Sequence, residues 1–224
     1  MKNLLLLFFA VLTLPSFSQE NKKVLLIGID GCRPDALAIA NTPTIDQLSG
    51  EGVFSPDALN DDITISGPGW SAILCGVWSD KHLVTGNDFS GNNYDTYPPV
   101  FKYANDFEVN LHTASICHWD PINDFIIDDH ADFKLNVSTD AEVSQQAVDY
   151  ISVNDPDFMF LHFDDVDHAG HSSGFSPDVA AYVEAIEVVD QLLAPIIAAI
   201  ENRPDYDNED WLILITTDHG GNGF

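Results

Sequence analysis

The sequence predicts an α/β fold, a mostly parallel central sheet with helices on both faces. Short apolar, β-branched runs recur along the chain, and three of them lead into acidic or histidine-bearing tips. Segments of helical character separate these runs, as βα alternation requires. With 45% hydrophobic residues the chain has the material for one sizeable core and is not a disordered polypeptide.

The first run, Lys23 to Ile29, ends in Asp30-Gly31 and reads as a buried parallel strand that delivers a carboxylate at its carboxyl end. Thr42-Pro43 opens a helix through Gln47-Leu48, with Pro43 at its first position and Gly50 and Gly52 closing it. Asn60 to Pro68 reads as a loop that feeds a helix from about Gly69 to Cys75. Leu111 to Ile116 is a second strand, interrupted by His112, and Gly86 to Pro99 is an inserted polar loop. Ser138 or Thr139 caps a helix to about Val153, with Asp140 and Glu142 in the first turn where the helix dipole favours negative charge. Asp157 to Phe163 forms a strand followed by acids and histidines. Apolar residues at helical spacing from Val179 to Leu193 predict a long helix over Pro177 to Asn202. Trp211 to Ile215 is the last strand and runs into Thr217-Asp218-His219-Gly220.

Residues 1–18 read as an export signal: Lys2 gives the positive start, Leu4 to Leu14 the apolar stretch, and Ser16-Phe17-Ser18 the small-residue cleavage site. The apolar stretch is shorter than the roughly 20 residues that cross a bilayer, and Pro15 follows it at once. The expectation is a single domain over 19–224, secreted or periplasmic, with no membrane span. The formal charge of −28 argues against nucleic acid or an anionic membrane as partner, since both present negative phosphates. Cys32, Cys75 and Cys117 form no C-x-x-C pattern and allow at most one internal disulfide; Cys32 and Cys75 are expected to be buried packing residues.

Asp30, the stretch from Asp164 to His171, and Asp218-His219 all follow predicted strands, and open α/β sheets gather ligands at the carboxyl ends of their strands. A mixed carboxylate and imidazole set suits zinc, whereas calcium takes oxygen alone. Asp164, Asp165 and His168 are expected to be exposed or to support the ligands from behind. His82, His112, His118, His130 and His162 are expected to be structural or solvated.

Four motifs then carry a resemblance. Ile29-Asp30-Gly31, Ser66-Gly67-Pro68-Gly69-Trp70 with its continuation through Lys81-His82, Asp167-His168-Ala169-Gly170-His171-Ser172-Ser173-Gly174, and Thr217-Asp218-His219-Gly220 stand in this order. The sequence resembles the nucleotide pyrophosphatase/phosphodiesterase branch of the alkaline phosphatase superfamily over nearly its whole length after the leader. The resemblance implies an alkaline phosphatase-like fold and a metal-dependent hydrolase of phosphate esters, diester or pyrophosphate bonds favoured, acting on a small phosphorylated substrate. It implies two Zn2+: one held by Asp30, Asp218 and His219, the other by Asp167, His171 and a further histidine. Ser66 matches the nucleophile and would sit between the metals, although Thr64 offers a second hydroxyl nearby. Backbone N–H groups of the helix start, at Gly67 and Gly69, would meet the substrate's anionic oxygens.

Two departures qualify the match. Gly69 stands where the branch usually has asparagine, so another group must serve the phosphate oxygens. The family's further histidine lies downstream of Asp-His-Gly, and the sequence stops at Phe224, so the second zinc site is expected to lack a ligand unless another histidine replaces it, and the domain is expected to be incomplete at its carboxyl end. A sulfatase-type or phosphomonoester hydrolase on the same fold is the nearest alternative. Trp70 stands where sulfatases resemble one another in an arginine. A non-catalytic remnant that binds metal and phosphate is the other alternative.

Overall fold

The computed structural model describes residues 21–61, 63–107 and 111–221; the expected leader at 1–18 lies outside them. Strand β1 (Asn21–Ile29) is buried from Lys23 onward on one face and from Ile27 on both. Two short helices follow, α1 (Pro34–Leu37) and α2 (Pro43–Glu51). Helix α3 (Ser66–Cys75) ends at Gly76 in the left-handed conformation, before α4 (Ser79–His82) and α5 (Val100–Phe107). Strand β2 (Thr113–Cys117) leads through a π-helical segment, Ile122–Ile127, to β3 (Phe133–Asn136). The chain continues with α6 (Asp140–Val153), β4 (Phe158–Phe163), α7 (Asp165–Ser173), α8 (Ala180–Glu201) and β5 (Glu209–Thr216).

The strands form one sheet in the order β3-β2-β4-β1-β5, every pairing parallel. Alternate strand residues face opposite sides. Leu25, Ile27, Ile29, Ile116, Met159 and Leu161 pack with α6 and α8, while Phe160 and Cys117 pack with Trp70 and Leu74 of α3 and Phe101 of α5. Helices therefore cover both faces, as predicted.

Several boundaries differ from the sequence reading. Helix α3 begins at Ser66, three residues before the predicted start, because Pro68 falls in the first turn, where a missing N–H costs no helical hydrogen bond. The second strand starts at Thr113: the backbone of His112 is engaged by Asp157 at the start of β4, its N–H donating to Asp157 Oδ2 at 2.8 Å. The predicted long helix begins at Ala180, not Pro177. Strand β3 and helix α7 were not read from the sequence at all. The first is four residues long and only partly buried; the second hides in a run of acids and histidines without an apolar stripe.

Helix α2 has no side-chain cap of its own. Asp190 of α8, fully buried, caps it across the fold, accepting from Thr44 N at 3.2 Å and Ile45 N at 2.8 Å. Asp190→Ala leaves both amides without that partner and is expected to cost about 1–2 kcal/mol. Urea denaturation measures it, and an unchanged midpoint would mean that those amides find another acceptor.

Cys32, Cys75 and Cys117 are free and buried, and burial pushes each thiol up to about 12. Cys32 and Cys75 act as apolar packing, as expected, and Cys117 does the same.

Candidate active site at the strand tips

Parallel register sets the level of the site. Ile29 pairs with Phe163, and Gly28 pairs with Thr216, so Asp30, Asp164 and Asp218 leave the sheet at one edge. Asp30, Asp218 and His219 are all buried there, and each offers a donor atom within 4.8 Å of the others. Gly31 N donates to Asp218 Oδ1 at 3.2 Å, tying the tips of β1 and β5 together. Gly31 has φ of +65°, and a Cβ at this position would lie 2.7 Å from Asp167 Oδ1, so turn and crowding both demand glycine.

Ser66 enters from the first turn of α3. Its Oγ lies 3.4 Å from Asp30 Oδ1 and 3.3 Å from His219 Nε2. His219 Nε2 is in turn 3.4 Å from both Asp30 Oδ1 and Asp218 Oδ2. Thr64 lies on the exposed rim of the same cavity, about 340 Å³ in volume, which Asn87, His171, Phe175 and Gly221 also line. A larger cavity, about 820 Å³, lies at the opposite ends of the strands, where Asn21, Arg203 and Glu209 line it, far from these tips.

Asp167 and His171 sit one helical turn apart on α7 with Asp167 Oδ2 3.3 Å from His171 Nε2. Asp167 Oδ1 is 3.9 Å from His219 Nε2, so the structure brings this pair to the rim of the first cluster. Asp167 is buried, whereas the His171 side chain is 72% exposed. Among the described residues, no group of three or more potential ligands includes either of them.

The electrostatics are those of crowded acids. Burial, reinforced by the Asp30 charge, pushes Asp218 well above the ordinary carboxylate range and raises Asp167. Burial raises Asp164 to about 6. For Asp30, burial acts upward, but hydrogen bonds from His162 and Trp70 and the neighbouring imidazoles of His162 and His219 outweigh it and hold the carboxyl below its usual value. Among the described residues, Asp167 Oδ1 and Asp218 Oδ2 are buried without a hydrogen-bond partner.

These orphaned oxygens are what a cation would satisfy. A tetrahedral zinc with bonds of about 2.0–2.1 Å separates its ligand atoms by about 3.3–3.4 Å. The spacings of 3.3–3.4 Å measured from His219 Nε2 to Asp30, Asp218 and Ser66 match that edge. The residues present therefore fit a metal ion.

The two predicted substrate-binding glycines have their amides engaged. Gly69 N donates to Ile65 O at 3.0 Å within the helix start, and Gly67 N donates to Asn87 Oδ1 at 2.8 Å. Asn87 was missed by the sequence reading, because it lies in the polar loop after α4 and carries no motif. His162, read as structural, meets Asp30 Oδ2 at 3.1 Å. The available signal was a lone polar residue near the carboxyl end of the otherwise apolar β4. His168 is largely exposed, as expected, and Asp165 is half-buried.

A parallel sheet flanked by helices, with carboxylates and imidazoles converging at its carboxyl edge, is an alkaline phosphatase-like α/β protein. The family model for type I phosphodiesterase / nucleotide pyrophosphatase matches residues 24–223. The chain belongs to that family. It is 24% identical over 244 aligned positions to the bis(5'-adenosyl)-triphosphatase ENPP4 of Homo sapiens, an alignment covering 98% of this chain and 53% of that protein. The chain thus spans about half the length of the curated relatives it matches. The solved structure of an inactive murine ectonucleotide pyrophosphatase/phosphodiesterase 5 in complex with AMP superposes with a TM-score of 0.71, at 22% identity, covering 89% of this chain and 57% of that one. A 2-O GAG sulfatase shares the fold with a TM-score of 0.71 at 14% identity, covering 88% of this chain and 58% of that one. Among the described residues, no helix is long and apolar enough to cross a membrane.

Proposed function

We propose that the chain forms the catalytic part of a zinc-dependent hydrolase that cleaves phosphodiester or pyrophosphate bonds in small phosphorylated substrates, nucleotides among them, with Ser66 as nucleophile. The observation that carries the reading is the Ser66 hydroxyl 3.3–3.4 Å from Asp30 and His219, at the tip where Asp218 Oδ2 is left buried and unpartnered. Asp30, Asp218 and His219 would hold one zinc; Asp167 and His171 would contribute to a second. Zinc supplies the positive charge that lowers the pKa of a neighbouring hydroxyl and offsets charge on the phosphoryl oxygens.

Ser66 is fixed for attack by its place in the first turn of α3. Its Oγ gives up its proton to solvent and forms a bond to phosphorus as the bond to the leaving oxygen breaks, and the leaving group departs with that electron pair and takes a proton from water. Water then cleaves the phosphoserine, restoring the hydroxyl and releasing the phosphorylated product. Asn87, whose Oδ1 accepts from Gly67 N, keeps its Nδ2 hydrogens for a phosphoryl oxygen in the same cavity. Asn87→Ala is expected to lower kcat by about 10²–10³-fold with KM changed far less, the signature of a donor that acts on developing charge. A change confined to KM would remove Asn87 from that role.

The leader expected at 1–18 supports a secreted or periplasmic location. Turnover of bis(p-nitrophenyl) phosphate, p-nitrophenyl phosphate and p-nitrophenyl sulfate by the zinc-loaded chain tests the reading. The diester is expected to be cleaved fastest. Faster sulfate release would favour the sulfatase alternative, and bound zinc without turnover would favour a metal- and phosphate-binding remnant.

A further inference from the structure

We propose that Trp70 and His162 are positioning residues that hold Asp30 as a single-oxygen metal ligand; the inference rests on the metal centre proposed above. Trp70 Nε1 donates to Asp30 Oδ2 at 2.7 Å, and His162 Nε2 meets the same oxygen at 3.1 Å. All three side chains are fully buried, so no water competes for that oxygen.

The other nitrogen of His162 fixes its tautomer. Nδ1 faces the backbone N–H of Trp119 at 3.4 Å and can only accept from it, which places the ring proton on Nε2, donating to Asp30. His162 lies within ligand distance of Asp30 and Asp164, a trio that could itself suggest a metal site. With one nitrogen accepting and the other donating, however, no lone pair is left for an ion.

Oδ2 of Asp30 is therefore saturated by two N–H donors, and Oδ1 is the oxygen that faces Ser66 and His219. The donors are themselves held rigid. The Trp70 ring meets His162 edge-on at 5.0 Å and Phe160 at 5.8 Å. Gly28 on β1 makes room for the indole, since a Cβ there would lie 2.3 Å from it. A carboxylate clamped at one oxygen presents the other in a fixed direction; released, it can turn or bind through both, altering ligand number and geometry. The chain thus spends a tryptophan from α3 and a histidine from β4 on orienting one strand-tip aspartate.

Zinc affinity of the wild-type chain and of Trp70→Phe, His162→Leu and His162→Gln, measured by competition with a chromophoric chelator, tests this. Melting curves of the metal-free proteins are recorded alongside to select variants that fold. Trp70→Phe and His162→Leu are expected to bind zinc about 10- to 100-fold more weakly. His162→Gln, whose amide keeps an N–H donor, is expected to regain most of the loss. Affinities of the two donor-free variants within twofold of wild type would overturn the inference while leaving the metal centre standing. Equal weakening by His162→Gln and His162→Leu would also overturn it, and that pair decides the matter should Trp70→Phe not fold. A wild-type chain that binds no zinc would overturn the metal centre and this inference together.

Discussion

Ser66→Ala is expected to reduce zinc-dependent diester hydrolysis by at least about 10³-fold while leaving zinc bound. The hydroxyl is the attacking atom in the proposed reaction and lies 3.3–3.4 Å from Asp30 and His219, whereas Thr64 is exposed on the rim of the same cavity. Binding should survive because Asp30, Asp218 and His219 still supply one nitrogen and two carboxylates from two rigid strand tips. Turnover and zinc stoichiometry must be measured on the same preparation, since a loss of both would report a collapsed site and not a missing nucleophile. Near-normal turnover by Ser66→Ala would remove Ser66 from the chemistry and return the question to Thr64.

Metal-free protein is expected to lose stability as pH rises, and zinc to reverse that loss. Burial raises Asp218, Asp167 and Asp164, the last to about 6, from an ordinary value of 3.8. A carboxyl raised in the folded state keeps its proton after the unfolded chain has released its own. Stability therefore falls as pH climbs from the unfolded value through the folded one. The imidazole of His118 is raised by its hydrogen bond to Asp140, so its contribution is present at low pH and is also lost as pH rises. Asp30, held below its usual value, works the other way: its contribution is present above 3.8 and lost only as pH falls through its folded pKa. Asp35, Asp155 and Glu209 are lowered like Asp30 and are ionised in the folded and unfolded chain alike above about pH 6, and His82, lowered by burial, works against His118, so the raised acids, Asp165 among them, leave a net decline at higher pH.

A cation binds the ionised carboxylates and removes their mutual repulsion. At a zinc concentration about 1,000 times Kd the stabilisation is about 4 kcal/mol, and it should be larger near pH 8 than near pH 5, where protons compete for the ligands. Thermal melting with and without zinc at the two pH values checks it. Equal metal-free stability at both pH values, with no response to zinc, would show that the strand-tip acids are not a metal site.

Much of the fold was legible because burial writes itself into residue type. A run such as Val24 to Ile29 has no polar face to present to water, and Thr139 announces its helix by accepting from Glu142 N at 3.2 Å, as a cap residue before an acidic first turn should. Strand β3 and helix α7 escaped because they lack such a signature. Helix α7 carries Asp165, Asp167, His168 and His171 in place of an apolar stripe, and its start is secured from elsewhere: buried Asp140 accepts from Asp164 N at 2.8 Å and Asp165 N at 3.1 Å. No local pattern encodes a cap that comes from 24 residues away.

The same division runs through the site. Asp30, the stretch from Asp164 to His171, and Asp218-His219 were named from chemistry and order along the chain, and the family resemblance singled out Asp167 and His171 within that stretch. Convergence was another matter, set by the parallel register that brings Ile29 level with Phe163 and Gly28 level with Thr216. Asn87 and His162 gained their places only through contacts across the fold, on Gly67 and Asp30. Side-chain chemistry and periodicity are properties of short stretches of chain, so sequence by itself determined four of the five described strands, the longer helices α3, α6 and α8, and the candidate ligands. Distances between residues remote along the chain arise only when the sheet assembles, and so the tertiary structure alone decided which hydroxyl meets the ligands, which oxygens stay unpaired and which side chains hold Asp30.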